Sequence, residues 1–205
     1  MRYLLLGSCL FILSGCSSVY KNLMPAEGEI TTLQKFKPNF NNTLYQSSID
    51  VMGHHLSGLL LIKILPDSST RVVFSNEIGL KFFDFEFKQN GDFNALYVFK
   101  KIDKKPVIKT LKKDFELIMF PTKKPQKAYL LKDDYNLYYI FPKQKGSYCY
   151  VTDLEGTKIK DIQISSPYKP IVHATVSNYT NGVPDTIGIT HTNFNFNIGL
   201  KKIER

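Results

Sequence analysis

Hydrophobic and polar residues alternate along most of the chain from residue 44 onward. In residues 44–51, Tyr45, Ile49 and Val51 fall on one face of an extended strand, because successive side chains of a strand point to opposite faces. Turn signals such as Asn90-Gly91 separate segments of this kind. About ten to twelve strands at short spacing predict an antiparallel sheet or barrel, a mainly β fold. The predicted strands are 44–51, 56–65, 71–75, 81–87, 93–100, 128–132, 136–141, 147–152, 158–165, 171–179, 186–192 and 194–203.

The hydrophobic period changes to three and four in residues 106–120, where the sequence predicts one amphipathic helix. Asp103 is the expected N-cap, Pro106 lies in the first turn and Pro121 ends the helix. The apolar positions are Ile108, Leu111, Phe115, Ile118 and Met119. A second, short helix is expected around residues 31–36.

The outer face of the predicted helix carries a basic rim. Its members are Lys105, Lys109, Lys112 and Lys113. Two interpretations stay open for this rim, a solvated surface and a surface for acidic head groups or an acidic partner.

Residues 59–62 and 81–87 are apolar on both strand faces. A sheet that is buried on both sides must be covered on both sides, either by a helix or by an apolar ligand. The helix 106–120 can act as a lid, and two alternatives remain for the space beneath it: an apolar cavity or a core filled by the protein's own side chains. The residues expected to line a cavity are Leu60, Ile62, Phe83, Phe85, Phe99, Leu111 and Phe115.

The N-terminus has the pattern of a bacterial lipoprotein signal. Arg2 precedes an apolar run over residues 3–13, which is too short for a membrane-spanning helix of ~20 residues. The run ends in Leu13-Ser14-Gly15-Cys16, a lipobox whose cysteine thiol is acylated and becomes the new N-terminus. We therefore expect a signal peptide over 1–15, lipid attachment at Cys16, a lipidated tether and N-terminal segment over 16–41, and one folded domain over 42–205. Residues 17–25 are short, polar and without structure signals, and are expected to form the tether. The simpler alternative is a plain signal peptide with a coincidental cysteine.

Composition agrees with one exported domain. The 205 residues include 15 Phe, 12 Tyr and no Trp, and the net charge is +9. Loss of Cys9 with the signal and acylation of Cys16 leave only Cys149, so no internal disulfide is expected and Cys149 is interpreted as a buried structural thiol. The positive charge is compatible with anionic lipid, and nucleic acid is not expected as a partner of a lipid-anchored exported chain.

The sequence offers no convincing catalytic site. His54 and His55 are adjacent and would point to opposite faces of a strand, while His173 and His191 lack a ligand partner at metal-binding spacing. Asp84 and Glu86 would lie ~7 Å apart on one strand face, and a solvated face is the simpler interpretation. We expect no enzyme activity, no metal and no cofactor.

Two stretches resemble the LolB family of outer-membrane lipoprotein receptors. They are residues 71–79, reading Arg-Val-Val-Phe-Ser-Asn-Glu-Ile-Gly, and the alternating strand at 83–87. The C-terminal residues 183–187 and 198–203 look similar as well. The related periplasmic carrier LolA shares the fold without a lipid anchor, and the lipobox favours the anchored member.

The resemblance implies an incomplete antiparallel barrel of about eleven strands around an apolar cavity covered by helices. It implies that the cavity takes acyl chains of lipoproteins from a LolA-like periplasmic carrier and passes them to the outer membrane, where the protein is anchored facing the periplasm. The membrane-insertion loop of the family falls on Ile78, with Leu80 beside it. The absence of Trp and a polar connection after Pro142, which the sequence suggests is long, depart from the family. The alternative is a non-catalytic envelope lipoprotein that uses the same fold as a protein-binding scaffold.

Overall fold

The alternating segments form one antiparallel sheet in a computed structural model, which describes residues 19–120 and 128–204. The lipobox and Cys16 lie outside the described residues. The strands are β1 Met24–Pro25, β2 Thr43–Val51, β3 His54–Ile64, β4 Thr70–Ser75, β5 Lys81–Phe87, β6 Phe93–Val98, β7 Tyr129–Lys132, β8 Asn136–Lys143, β9 Gly146–Asp153, β10 Ile159–Ser165, β11 Pro170–Thr180, β12 Val183–His191 and β13 Phe196–Lys202. A 3-10 helix spans Ile30–Phe36, and the α-helix α1 spans Lys105–Ile118.

The strand order is β1-β7-β8-β9-β10-β11-β12-β13-β2-β3-β4-β5-β6. Most neighbouring strands are consecutive in sequence and form hairpins. The pair β13–β2, whose strands are far apart in sequence, joins the two halves of the sheet and places Ile198 opposite Ile49. In the described residues β6 pairs only with β5 and β1 only with β7, so the sheet is open and not closed into a barrel. The predicted incomplete antiparallel barrel with a helix is confirmed.

Residues 19–120 and 128–204 contain thirteen strands, and each of the twelve longer ones overlaps a predicted strand. The additional strand is β1, which is too short to show any alternation. It belongs to residues 19–25, which the sequence suggests are a tether without structure. The main-chain N–H of Val19 instead donates to the Pro167 carbonyl over 3.0 Å, and the hydroxyls of Tyr20 and Ser147 are 2.8 Å apart.

Helix α1 begins at Lys105 with Lys104 at the N-cap position and without a side-chain cap. The prediction of Asp103 as the N-cap was therefore wrong, since the chain enters the helix one residue later. Pro106 lies in the first turn as predicted, where the missing N–H has no intrahelical partner to lose.

Both halves of the sheet contact α1. Phe115 packs on Phe83 of β5 with ring centroids 5.8 Å apart. The Tyr150 hydroxyl of β9 donates to the Leu117 carbonyl over 2.8 Å. Because seven strands separate β5 from β9 in the sheet order, the sheet must curve around the helix to reach it from both sides.

The connection after Pro142 is short. β8 continues through Lys143 and β9 begins at Gly146, so only two residues link them, and the expectation of a long polar connection was wrong. Gly146 makes the tight turn possible: it has φ +101°, and a Cβ there would lie 1.9 Å from the Ser165 carbonyl oxygen.

Asp84 on β5 is buried and ion-paired, not solvated as the alternation suggests. Arg71 Nη2 and Lys81 Nζ each donate to its carboxylate over 2.9 Å. Burial alone would raise the pKa of Asp84, but these donors outweigh it and lower the pKa. Glu86 accepts a hydrogen bond from Asn94 over 2.7 Å, so neither carboxylate of this pair is free for acid–base chemistry.

Asp84→Asn removes the charge that Arg71 and Lys81 bind. We expect it to lower the free energy of unfolding at pH 7 by about 1–2 kcal/mol, since both cations are partly exposed. Because folding lowers the pKa of Asp84, the ion pairs stabilise the fold fully at pH values above the ordinary aspartate pKa of ~4. This stabilisation is lost as the pH falls through the lowered pKa of the folded state. Thermal unfolding at pH 7 and pH 3 measures it. The control is Asp134→Asn on an exposed turn, and a pH-independent difference would contradict the assignment.

Candidate functional site

A groove with a volume of about 570 Å³ lies at the C-terminal end of α1. Its apolar lining comes from separate elements of the fold. These residues are Pro38, Phe40, Ile64, Phe87, Met119, Phe120, Phe141, Pro142 and Tyr148. The groove has the volume and the apolar character of a small-ligand site.

Aromatic packing fixes the floor of the groove. Phe120 follows α1 with a positive φ of 60°, and its ring lies 4.5 Å from that of Tyr150. Phe141 meets Tyr150 edge-on at 5.6 Å. Since the Tyr150 hydroxyl also holds the Leu117 carbonyl, the end of the helix and the groove wall are positioned by the same side chain.

Two polar side chains at the groove, those of Glu116 and Tyr148, are paired with each other. Glu116 accepts a hydrogen bond from the Tyr148 hydroxyl over 3.0 Å and lies 3.6 Å from Lys112 Nζ. Burial raises the pKa of Tyr148 far above its usual range, so its phenol remains a donor. Lys143 Nζ lies 4.4 Å from the centre of the Tyr148 ring. The groove therefore presents an apolar and aromatic surface, with lysine side chains at its opening.

The residues predicted to line a cavity lie elsewhere, in the hydrophobic core that α1 shares with the sheet. Six of them are buried in the core, and Phe99 is partly buried against it. Phe83 stacks on Phe85 with ring centroids 4.6 Å apart. None of the seven is among the residues that line the groove, so a role for them in ligand binding remains a prediction that requires α1 to move.

Sequence reasoning missed the groove residues because they come from element ends that meet only in the folded protein. Phe87 ends β5 and Phe141 is near the end of β8, while Met119 and Phe120 follow α1. The one available signal was the continuation of the helical apolar pattern to Met119, beyond the last turn of α1.

The basic rim lies on the solvent side of α1. Lys105 and Lys109 are exposed, whereas Lys112 and Lys113 are half-buried. Lys112 pairs with Glu116 and its Nζ lies 5.3 Å from the centre of the Phe93 ring. The four lysines of this basic rim on α1 do not line the groove.

Ile78 projects from the loop between β4 and β5 and is 90% exposed. Asn76 holds this loop: its side-chain oxygen accepts the Leu80 N–H over 2.7 Å, and its main-chain N–H donates to the Leu80 carbonyl over 3.0 Å. Gly79 adopts φ +88°, which suits the tight turn. The loop thus presents an apolar tip on a hydrogen-bonded base.

Asp114 and His191 form a buried pair between α1 and β12. Their side chains are almost fully buried, and His191 Nε2 lies 3.3 Å from Asp114 Oδ1. His191 Nδ1–H donates to the Phe196 carbonyl over 2.9 Å. Burial raises the pKa of Asp114, and His191 opposes this shift only in part. The pair ties the helix to the sheet at an electrostatic cost.

The remaining candidate chemistry has structural partners. His55 Nδ1 lies 2.7 Å from Asp50, and His173 Nδ1 lies 2.9 Å from Asp161. In the described part of the chain no three His, Cys, Asp or Glu side chains cluster as metal ligands would. Cys149 is fully buried, as predicted, and burial raises its pKa to about 12. No helix within residues 19–120 and 128–204 has the length and apolar content needed to cross a bilayer.

No protein-family model and no curated protein sequence matches the chain. Among solved structures, a LolA superfamily protein from Nitrosomonas europaea matches with a TM-score of 0.52 and 8% identity, over 87% of this chain and 93% of that chain. A putative outer membrane lipoprotein-sorting protein domain from Vibrio parahaemolyticus gives 0.46 and 9%, over 86% and 89%. A DUF1329 family protein from Desulfovibrio piger gives 0.44 and 8%, over 84% and 88%. The first of these matches shows that the chain has a LolA-like fold.

Asp114→Asn tests the buried pair. When folding raises the pKa of a carboxyl group, the protein loses stability as the pH rises above the ordinary pKa of that group. The amide side chain introduced by the substitution avoids this cost, and it can still donate to His191 Nε2. We therefore expect the variant to be at least as stable as the wild type at pH 7 in urea unfolding, with the gain shrinking towards pH 4. Asp103→Asn, on an exposed position, is the control. A clear loss of stability at pH 7 would mean that the ionised pair is net favourable.

Proposed function

We propose that this protein is a LolB-like envelope lipoprotein that binds acyl chains of other lipoproteins in the groove at the end of α1 and helps insert them into the outer membrane. The observation that carries the proposal is the apolar groove of about 570 Å³ in a LolA-like fold. The lipobox and the LolB-like sequence stretches support the anchored member of the family.

The groove suits one acyl chain. A methylene group has about the volume of a water molecule, roughly 30 Å³, so a space of about 570 Å³ holds on the order of one long chain. Transfer between apolar surfaces is driven by ~25 cal/mol per Å² of buried area. No bond is broken, so the role needs no catalytic group, metal or cofactor.

Delivery requires contact with a bilayer. The acylated Cys16 would hold the domain at the outer membrane facing the periplasm, and a LolA-like carrier would bring the cargo. Ile78, with Leu80 beside it, would enter the bilayer from the loop that Asn76 holds. A loop with a rigid base positions such a tip with little loss of conformational entropy.

A scaffold that binds a protein partner is the second candidate. It is favoured by the filled core beneath α1, where Phe83, Phe85 and Phe115 occupy the space that a large cavity would need. The scaffold predicts no binding of acyl ligands.

Met119→Glu places a charge on the groove wall at a half-buried position. We expect at least a tenfold loss of affinity for a fluorescent fatty acid, because the carboxylate must be desolvated when the chain binds. Fluorescence titration measures this affinity. Lys109→Glu, on the exposed face of the same helix, should bind like the wild type. If the wild type itself does not bind the probe, the scaffold is the better account.

Ile78→Glu should leave folding intact and stop the transfer of an acylated protein to liposomes. The side chain is almost fully exposed, so folding loses few contacts, but a charged tip is costly at the bilayer interior. Transfer is followed by flotation of the liposomes with the acylated protein. Tyr135→Glu, on another exposed loop position, is the matched control, and undiminished transfer by Ile78→Glu would count against the loop.

A further inference from the structure

The hairpin loops of the sheet alternate between its two edges, because consecutive strands run in opposite directions. The anchor edge, as we call it, holds loops 52–53, 76–80, 144–145, 166–169 and 192–195. The distal edge holds loops 65–69, 88–92, 133–135, 154–158 and 181–182. The assignment is continuous through the centre of the sheet, since β13 and β2 are antiparallel with Phe196 opposite Val51.

The loops of the two edges differ in the large apolar side chains that they expose. In the described residues its loops expose Met52, Ile78, Leu80, Tyr168 and Phe194. The loops of the distal edge expose Tyr135 and Leu154. A single exposed apolar residue is ordinary, but several on one edge indicate an interaction surface.

Three of these loops are direct neighbours. The pair Phe196 and Val51 places loop 192–195 beside loop 52–53. The main-chain N–H of Thr192 donates to the Ile171 carbonyl over 3.0 Å, which places loop 192–195 beside loop 166–169. Met52, Phe194 and Tyr168 therefore follow one another along a continuous stretch of the anchor edge.

The two edges also differ in charge. The loops of the anchor edge carry two lysines and one glutamate, a net charge of +1; these are Lys145, Lys169 and Glu77. The loops of the distal edge carry two lysines and five carboxylates, a net charge of −3; these are Lys88, Lys158, Asp67, Asp92, Asp133, Asp134 and Glu155. An anionic surface would therefore attract the anchor edge and repel the distal edge.

The start of the described chain lies at the same edge. The Val19 N–H is bonded to the Pro167 carbonyl in loop 166–169. Cys16 precedes Val19 by three residues, a separation that spans at most ~10 Å of extended chain. A lipid on Cys16 would hold loop 166–169 close to the bilayer surface.

We propose that the anchor edge is a docking surface for a lipid bilayer, with Met52, Tyr168 and Phe194 at the interface between head groups and acyl chains. Aromatic side chains favour this depth of the membrane. The proposal deepens the proposed function, and it rests on that function in taking Cys16 as the lipid anchor. It adds a broad contact to the Ile78 loop, so that the domain is held in one orientation and does not hang on its lipid alone.

The absence of Trp from the chain allows a direct test with single tryptophans. Tyr168→Trp and Phe194→Trp report on the anchor edge, and Tyr135→Trp, 75% exposed on the distal edge, is the matched control. The full lipidated protein, with the acylated Cys16 verified by mass, is reconstituted into phosphatidylethanolamine–phosphatidylglycerol vesicles. Quenching by lipids brominated on their acyl chains is then measured for each variant.

We expect at least threefold stronger quenching of the tryptophans at 168 and 194 than of the one at 135. Equal quenching at the three sites, or the strongest at 135, overturns the proposal. Binding of a fluorescent fatty acid to the same samples separates the two claims. If the fatty acid binds but quenching is not selective, the groove remains an acyl site and the docking surface is refuted. If quenching is selective but the fatty acid does not bind, the docking surface stands and the acyl site is refuted. Thermal unfolding of each variant checks that the fold is intact, since Phe194 packs on His191 and its replacement could disturb this contact. Tyr168→Trp tests the anchor edge at a second position, independently of that contact.

Discussion

The burial of α1 between the two halves of the sheet is the constraint on which the rest of the structure depends. The thirteen-stranded open sheet has an apolar face whose exposure to water would be unfavourable. One helix of fourteen residues covers the centre of this face. Phe115 meets β5 on one side, and Leu117 accepts the Tyr150 hydroxyl of β9 on the other. The curvature of the sheet, the position of the groove and the cost of the buried Asp114 all follow from this placement.

The same packing explains why the groove lies at the end of the helix. Beneath the middle of α1 the aromatic side chains of β5 fill the space, whereas beyond Ile118 the helix no longer covers the sheet and the chain turns at Phe120. The groove opens where helix and sheet part. A ligand that entered it could extend beneath the helix only by displacing α1.

Much of the fold could be predicted from sequence because each strand shows its own alternation. The faces of β2, where Tyr45, Ile49 and Val51 point inward, follow from period two alone, and α1 follows from its own spacing. The partners of Asp84 could not be found in this way, because Arg71 belongs to another strand and its place depends on register. The same holds for the groove, whose residues Phe40, Phe87 and Phe141 share no local pattern. The tether was misread because contacts of Val19 and Tyr20 with distant loops leave no trace in composition.

The central claim is that the groove carries an acyl chain, and native mass spectrometry of the full chain with Cys16 replaced by Ala tests it most directly. Without its own lipid, any acyl mass retained by the folded protein must be bound non-covalently. The account predicts a population heavier than the protein by the mass of a lipid or acylated ligand, released on collisional activation and depleted in Met119→Glu. A spectrum with the protein mass alone, under conditions that preserve the folded state, would contradict it.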